Sequence, residues 1–398
     1  IAFSFFLQTS VSFSLGISAL LFVMMGSALL ANGYSLEADL MFARQENMLR
    51  FGAYLAFAII ILYIGRRYYR EVVLSALGRR RGQEAPEYAT WAARGLGLAM
   101  IIAVALLHGA GLGWLYCILF VLLMLVIFLV MARMVTETGV FFIQPWWSPV
   151  GVIAGFMGFN ALGPTAFATL AIASAILICD PREIVMPFIS NGLFVSERAG
   201  AIVPNKVAPW IAIMLVGGFV AAGAMTLWLQ YNYSASQMGN TWGTDDVPQL
   251  AFNPLSRNLA DAAAHGTLAD ATTAGFWQRL LAIHPPAGNL LWFSIGLILV
   301  LVTSVARLRL PWWPLHPVAF LVWGTYPGWE FAFSFLLGSG IKASVVGISG
   351  TKGYHSVKPL MVGVIAGELL MGLFWMLVCA AYFFIEHKRP VNFMIFPA

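Results

Sequence analysis

Glu368 is an acid inside an apolar run, between Gly367 and Leu369, with no basic neighbour in sequence. An acid at membrane depth is costly unless it is paired, protonated or wetted. One that gains and loses a proton there could couple transport to a proton gradient. The alternative is a neutral structural hydrogen-bonder or an acid near the membrane border. Glu330 follows Tyr326-Pro-Gly-Trp329, and Asn160 stands beside Gly163-Pro164. Both lie where Gly and Pro should break a helix. Broken helix ends expose backbone donors and acceptors, which membrane transporters use to hold substrates and ions. Polar capping of half-helices accounts for the same residues without a substrate. Glu137 lies four residues after Arg133, a spacing that brings the two together on one helical face. It is read first as a structural ion pair and kept as a transport candidate with the other three.

Other chemistries find little footing. Gly347-Ile-Ser-Gly350 matches the Gly-x-Ser-Gly of intramembrane serine proteases, but Lys352 follows it closely and His355 comes only six residues after the serine. No phosphate-binding loop, His-Glu-x-x-His or cysteine pair occurs. No enzyme activity, cofactor or metal is therefore expected. Cys117, Cys179 and Cys379 all lie in apolar segments and read as small core residues.

The elements that must position these residues are membrane helices. Of 398 residues 60% are hydrophobic and 10% charged, and mean hydropathy is +0.83. A soluble domain carries about 25% charged residues. No Asp, Glu, Lys or Arg occurs between Ile1 and Ser35, Gly95 and Ala132, or Thr138 and Cys179. Each run exceeds the roughly 20 residues needed to cross a bilayer. The expected fold is all-α: a polytopic helical membrane protein with an internal repeat that contains broken or re-entrant helices.

Crossings are expected at 9–31, 50–65, 93–111, 113–133, 206–231, 287–306 and 358–385, with a shorter membrane segment at 184–197. Residues 33–50 are mixed and read as interfacial. Seven arginines between Arg66 and Arg94 mark a cytoplasmic loop, and Lys342, Lys352 and Lys358 mark a second cytoplasmic border. The segments 148–180 and 314–348 are long for one crossing and carry Gly163-Pro164 and Pro327-Gly328, so each reads as a broken element. Asp180-Pro-Arg-Glu183 reads as a polar turn. The polar stretch 232–286 is taken as an extracytoplasmic loop, with Asn253-Pro254 as an N-cap and first helical residue. Phe276-Trp277 and Leu280-Leu281 suit the membrane interface. The net charge of +5 sits at membrane borders and gives no reason to expect nucleic acid.

Two Pro-Trp-Trp motifs mark the repeat. Gln144-Pro-Trp-Trp-Ser-Pro-Val-Gly151 follows a helix ending in Arg133. Arg309-Leu-Pro-Trp-Trp-Pro-Leu-His-Pro317 follows one ending in Arg307 and Arg309. The tryptophan pairs, Trp146-Trp147 and Trp312-Trp313, read as interface anchors. Gly151-Val-Ile-Ala-Gly155 and Gly363-Val-Ile-Ala-Gly367 have the small-xxx-small spacing of close helix packing. The resulting division is 1–231 with the first repeat, the loop 232–286, and 287–398 with the second. The chain opens on Ile1 inside an apolar run, so it is read as the later part of a longer protein.

Arg133-Met-Val-Thr-Glu-Thr-Gly139 and Ala306-Arg-Leu-Arg-Leu-Pro-Trp-Trp-Pro-Leu-His-Pro317 resemble a group of uncharacterised bacterial integral membrane proteins. That group looks like a distant branch of the oligopeptide transporter superfamily. The resemblance implies repeated helical halves and proton-coupled uptake of peptides or metal chelates. The chain lacks an Asn-Pro-Gly signature and a Lys-x-Pro-Pro-Arg motif, and no substrate-binding residue carries over. The expected function is a secondary transporter for a small polar solute in the bacterial inner membrane, with Glu368 as coupling acid. The alternative is a non-transporting subunit that scaffolds a membrane complex. Expected partners are lipids, a small-molecule substrate, and a homo-oligomer or membrane complex.

Overall fold

The architecture is that of a computed structural model, which describes residues 1–79, 86–140, 143–178, 184–198, 204–234, 242–273 and 275–388. Among these residues there is no strand, and seven helices are long and apolar enough to cross a membrane. The protein is an all-α, polytopic integral membrane protein. Asp180-Pro-Arg-Glu183, Cys179, Arg80 and Arg81 lie outside the described residues.

The helices run in this order: α1 Ala2–Phe6, α2 Thr9–Ala31, α3 Gln45–Ile64, α4 Arg66–Ala76, α5 Glu87–Gly109, α6 Trp114–Thr138, α7 Pro149–Met157, α8 Phe159–Leu162 and α9 Pro164–Leu177. Then follow α10 Val185–Arg198, α11 Pro204–Tyr233, α12 Val247–Ala264, α13 Leu268–Thr273, α14 Phe276–Leu281, α15 Ala287–Arg309, α16 Val318–Val322 and α17 Tyr326–Glu386. The expected crossings at 9–31, 50–65, 93–111, 113–133, 206–231 and 287–306 all fall on helices. Helix α10, with 14 residues, spans about 21 Å and is too short to cross a ~30 Å core alone. The turn between α5 and α6 is as tight as the spacing suggests. His108 stacks on Trp114 at 3.9 Å and its Nδ1 bonds the Leu112 carbonyl at 2.8 Å.

Contacts divide the chain into two compact units, 1–32 with 303–398, and 33–302, so the boundary falls inside α15. This grouping differs from one in sequence order, because α2 packs along α17 rather than with the helices that follow it.

In the first unit α2 approaches α17 closely. A Cβ on Gly16 would lie 2.6 Å from the Leu336 backbone nitrogen, a spacing only glycine permits. Ser12 Oγ donates to Phe335 O at 3.0 Å, and Ser14 Oγ accepts from His316 N at 2.7 Å. The 61 residues of α17 are two arms, because the backbone leaves the helical region at Gly350 (φ 60°, ψ −150°). Val345 O lies 3.2 Å from where a Cβ on Gly353 would sit, so the chain folds back there. An expected loop before residue 358 is thus a single glycine turn.

In the second unit α3, α6, α7 and α15 form the core. Gly52 and Gly296 make a reciprocal contact between α3 and α15. A Cβ at Gly52 would stand 2.0 Å from Phe293 O, and one at Gly296 1.8 Å from Leu49 O. Phe51, Phe156 and Phe293 pack around this crossing with ring centroids 5.4–6.1 Å apart.

The repeat holds in the order of its elements and not in their burial. Each copy has a long helix, a Pro-Trp-Trp segment, a short apolar helix and a break. Trp147, however, the second tryptophan of its motif, is fully buried against Phe51 and Tyr54, whereas its counterpart Trp313 is half-buried; of the first tryptophans, Trp146 is half-buried and Trp312 exposed. The reading of Trp146-Trp147 as an interface anchor is therefore wrong for Trp147, which is a core residue. Gly151 and Gly155 pack tightly, as their spacing suggests: Gly151 against the irregular strap of residues 39–43, and Gly155 against Ala43 of that strap and Met48 of α3. Gly363 and Gly367 face open space.

Among the described residues, the stretch 232–286 holds the α-helices α12 to α14, which pack on the first broken element, and a π-helical turn at Trp242–Asp246 that leads into α12. Asn253-Pro254 is not a helix start. Pro248 occupies the first turn of α12, and Pro254 lies in its interior, buried. A proline there forgoes one backbone bond and normally disrupts the helix; here it is buried in the packed helix instead. Trp277 and Leu281 are exposed, as an interfacial position requires.

Candidate functional site

The first broken element is broken twice. Gly158 (φ 84°) separates α7 from α8, and Gly163 (φ 80°) separates α8 from α9. Positive φ is open to glycine at little cost. Pro164 then starts α9 in the first turn, where its missing N–H costs nothing. Ser148 caps α7 by accepting from Gly151 N at 3.0 Å. The expected break at 160–165 is present, with a second one just before it.

Breaking a helix strands carbonyls that hydrocarbon cannot satisfy. Here side chains from distant segments take them up. Tyr116 Oη donates to Ala161 O at 3.0 Å, and Arg279 Nη1 donates to Leu162 O at 3.0 Å. Asn289 Nδ2 donates to Gly155 O at 2.9 Å and to Ala43 O at 3.3 Å.

The strap is held just as fully. Ala43 N bonds Gly151 O at 3.1 Å, Ser148 Oγ donates to Leu40 O at 2.6 Å, and Asn47 Nδ2 donates to Trp146 O at 2.8 Å. Asp39 accepts from Met41 N and Phe42 N at 3.0 and 3.1 Å. Burial pushes its carboxyl above the ordinary range, against the pull of those amides and of Arg44 and Arg257.

Beside the break lies a cleft of about 450 Å³. Its polar lining is Asn160 from α8, Asn258, Asp261 and His265 from α12 and its C-cap, Thr267 before α13, and His284 before α15. Asn160 Oδ1 accepts from Thr267 Oγ1 at 3.4 Å. His265 Nδ1 bonds the Asp261 carbonyl at 2.7 Å. Met157 and Phe159 supply apolar wall. Among the described residues no group of three His, Cys, Asp or Glu converges as a metal site would require.

Of the four sequence candidates, Asn160 lines this cleft and the other three do not. Glu137 pairs with Arg133 at the exposed C-terminal end of α6. Glu330 is exposed on α17, just past its first turn, not in a gap. The backbone of the second element is non-helical at 323–325, and Pro327 and Gly328 already belong to α17. The reason is that a proline in the first turn starts a helix rather than ending one. Thr325 caps it, accepting from Gly328 N at 3.3 Å. Glu368 is exposed on the second arm of α17, while Gly372, one turn on, is buried. An inward-facing Glu368 was expected; within this chain its side chain points away from the packing.

Sequence reasoning missed Tyr116, Arg279, Asp261, His265 and His284. It also missed Arg50, whose guanidinium is fully buried on α3 beside Glu46. Leu255, Leu259 and Ala262 recur at helical spacing and could have revealed α12.

A doubly broken helix whose gap opens on a polar cleft, within a bundle of apolar helices, defines an integral membrane protein of the helical polytopic class. Residues 1–388 match the family of unknown function DUF6785, and the chain belongs to that family. No curated protein and no solved structure matches it.

Proposed function

We propose that the protein is a secondary transporter for a small polar solute in the bacterial inner membrane, and that the cleft at Gly158–Ala161 is where the solute binds. One observation carries this reading. The gap in the first broken element opens on a polar space of about 450 Å³, large enough for a small solute. A scaffold has no need of such a space. Proton-coupled uptake is the activity that the sequence resemblance implies, with Glu368 as the coupling acid of this proposal and no covalent chemistry.

The test uses the purified chain in vesicles, with an imposed proton gradient and a panel of labelled amino acids, dipeptides and metal chelates. Accumulation above protein-free vesicles is expected for at least one compound, with loss of about tenfold or more in Asn160→Ala. Glu368→Gln should abolish gradient-driven uptake and spare counterflow exchange, which moves no net proton. Uptake that ignores Asn160→Ala would remove the cleft from the mechanism.

A further inference from the structure

We infer that the cleft selects an organic cation, a solute bearing a primary ammonium or guanidinium group. This deepens the transporter reading and rests on it.

The electrostatics point one way. Asp261 is the one acidic residue of the lining. Two helices also end there. The C-cap of α7, Gly158, and the C-cap of α12, His265, both line the cleft. Each helix C-terminus carries roughly half a negative charge. The nearby arginines do not line the cleft. Arg279 donates to Leu162 O. Arg257, one turn before Asp261, acts on Asp39. Helix α15 begins at Ala287, and none of its residues lines the space.

The hydrogen-bonding inventory agrees. A carbonyl only accepts, so the bond from His265 to Asp261 O requires a hydrogen on Nδ1. Asn258 Nδ2 gives one of its two hydrogens to Pro254 O at 2.7 Å, and its Oδ1 is an acceptor. Asn160 Oδ1 and the Asp261 carboxylate are acceptors as well. The carboxylate and the two amide oxygens are the acceptors that a ligand bringing N–H groups would use. A bare metal ion fits poorly, because too few ligating side chains converge.

The test reads the sign of the potential directly. In the full chain with its cysteines replaced, Ala282→Cys puts one thiol in the cleft without altering Asn160 or Asp261. A trimethylammonium-bearing thiosulfonate should outpace a sulfonate-bearing one by about fivefold more than it does on free cysteine. Asp261→Asn should bring that ratio down toward the free-cysteine value. A ratio at or below the free-cysteine value in the parent would overturn the assignment. In the same protein 1,4-diaminobutane should slow labelling and succinate should not. Protection by succinate, or by neither, would also overturn it. Vesicle uptake remains a separate measurement, so a cleft of the wrong sign does not decide whether the protein transports.

Discussion

Adding one methyl group at Gly296 would place a carbon 1.8 Å from Leu49 O, a backbone atom that cannot swing aside. The α3 and α15 helices would have to separate, and overpacking of that kind costs about 1–3 kcal/mol or more. Gly296→Ala should therefore lower the thermal midpoint in detergent by several degrees. Gly26→Ala is the control. Gly26 lies within α2, nothing stands within 4 Å of its added Cβ, and alanine favours helix by about 1 kcal/mol. Equal effects from the two substitutions would show that the crossing does not bear on stability. Single residues were the least legible level of this chain. Asn160 could be picked out because Gly163-Pro164 marks a break beside it. Asp261, His265 and His284 sat in a stretch whose Ala, Asn and Asp content resembles a loop, and only packing against the break makes them neighbours. Nothing local distinguishes Trp147 from Trp313 either; a buried ring and a half-buried one stand at the same place in the same motif.

At the scale of elements, the break depends on groups far away in sequence. Tyr116, on α6, satisfies Ala161 O from 45 positions upstream. Tyr116→Phe removes that donor and keeps the ring. An unsatisfied buried carbonyl costs about 1–3 kcal/mol. Hydrogen exchange at Phe159–Leu162 should accelerate by roughly the corresponding factor, while exchange in α5 stays unchanged. Unaltered exchange at the break would show that α8 is held by other contacts. Helix existence was readable because long uncharged runs have few alternatives in a bilayer. Where helices break was readable to within a few residues. Proline is ambiguous in this respect: Pro164 and Pro327 both start helices, and Pro254 lies inside one.

At the scale of the molecule, orientation rests on basic residues. Arg66 lies over the Tyr63 ring and Arg94 donates to Ala76 O, so α4 and the start of α5 gather positive charge on one border. The positive-inside rule predicts that this border is cytoplasmic and that α12 to α14 lie on the opposite side. Single cysteines at Leu77 and Trp277, both exposed, should react with an impermeant reagent from opposite sides of sealed vesicles. Labelling from one side alone would overturn the topology. The two-unit grouping was not legible in sequence, because no local signal says that α2 packs on helices 300 residues later.

Asn289 fastens the strap and the broken helix with one side-chain amide, and it is synthesised 246 residues after Ala43 and 134 after Gly155. At about 5–20 residues per second, the strap has waited on the order of 10–50 s for its fastener when α15 begins to emerge. Until then the gap at Gly158 has its glycines but not its clasp, and Leu162 O also lacks Arg279. The nascent protein therefore carries a loosely held, half-made gap in the membrane until α15 emerges, and the seal comes 134 residues after Gly155.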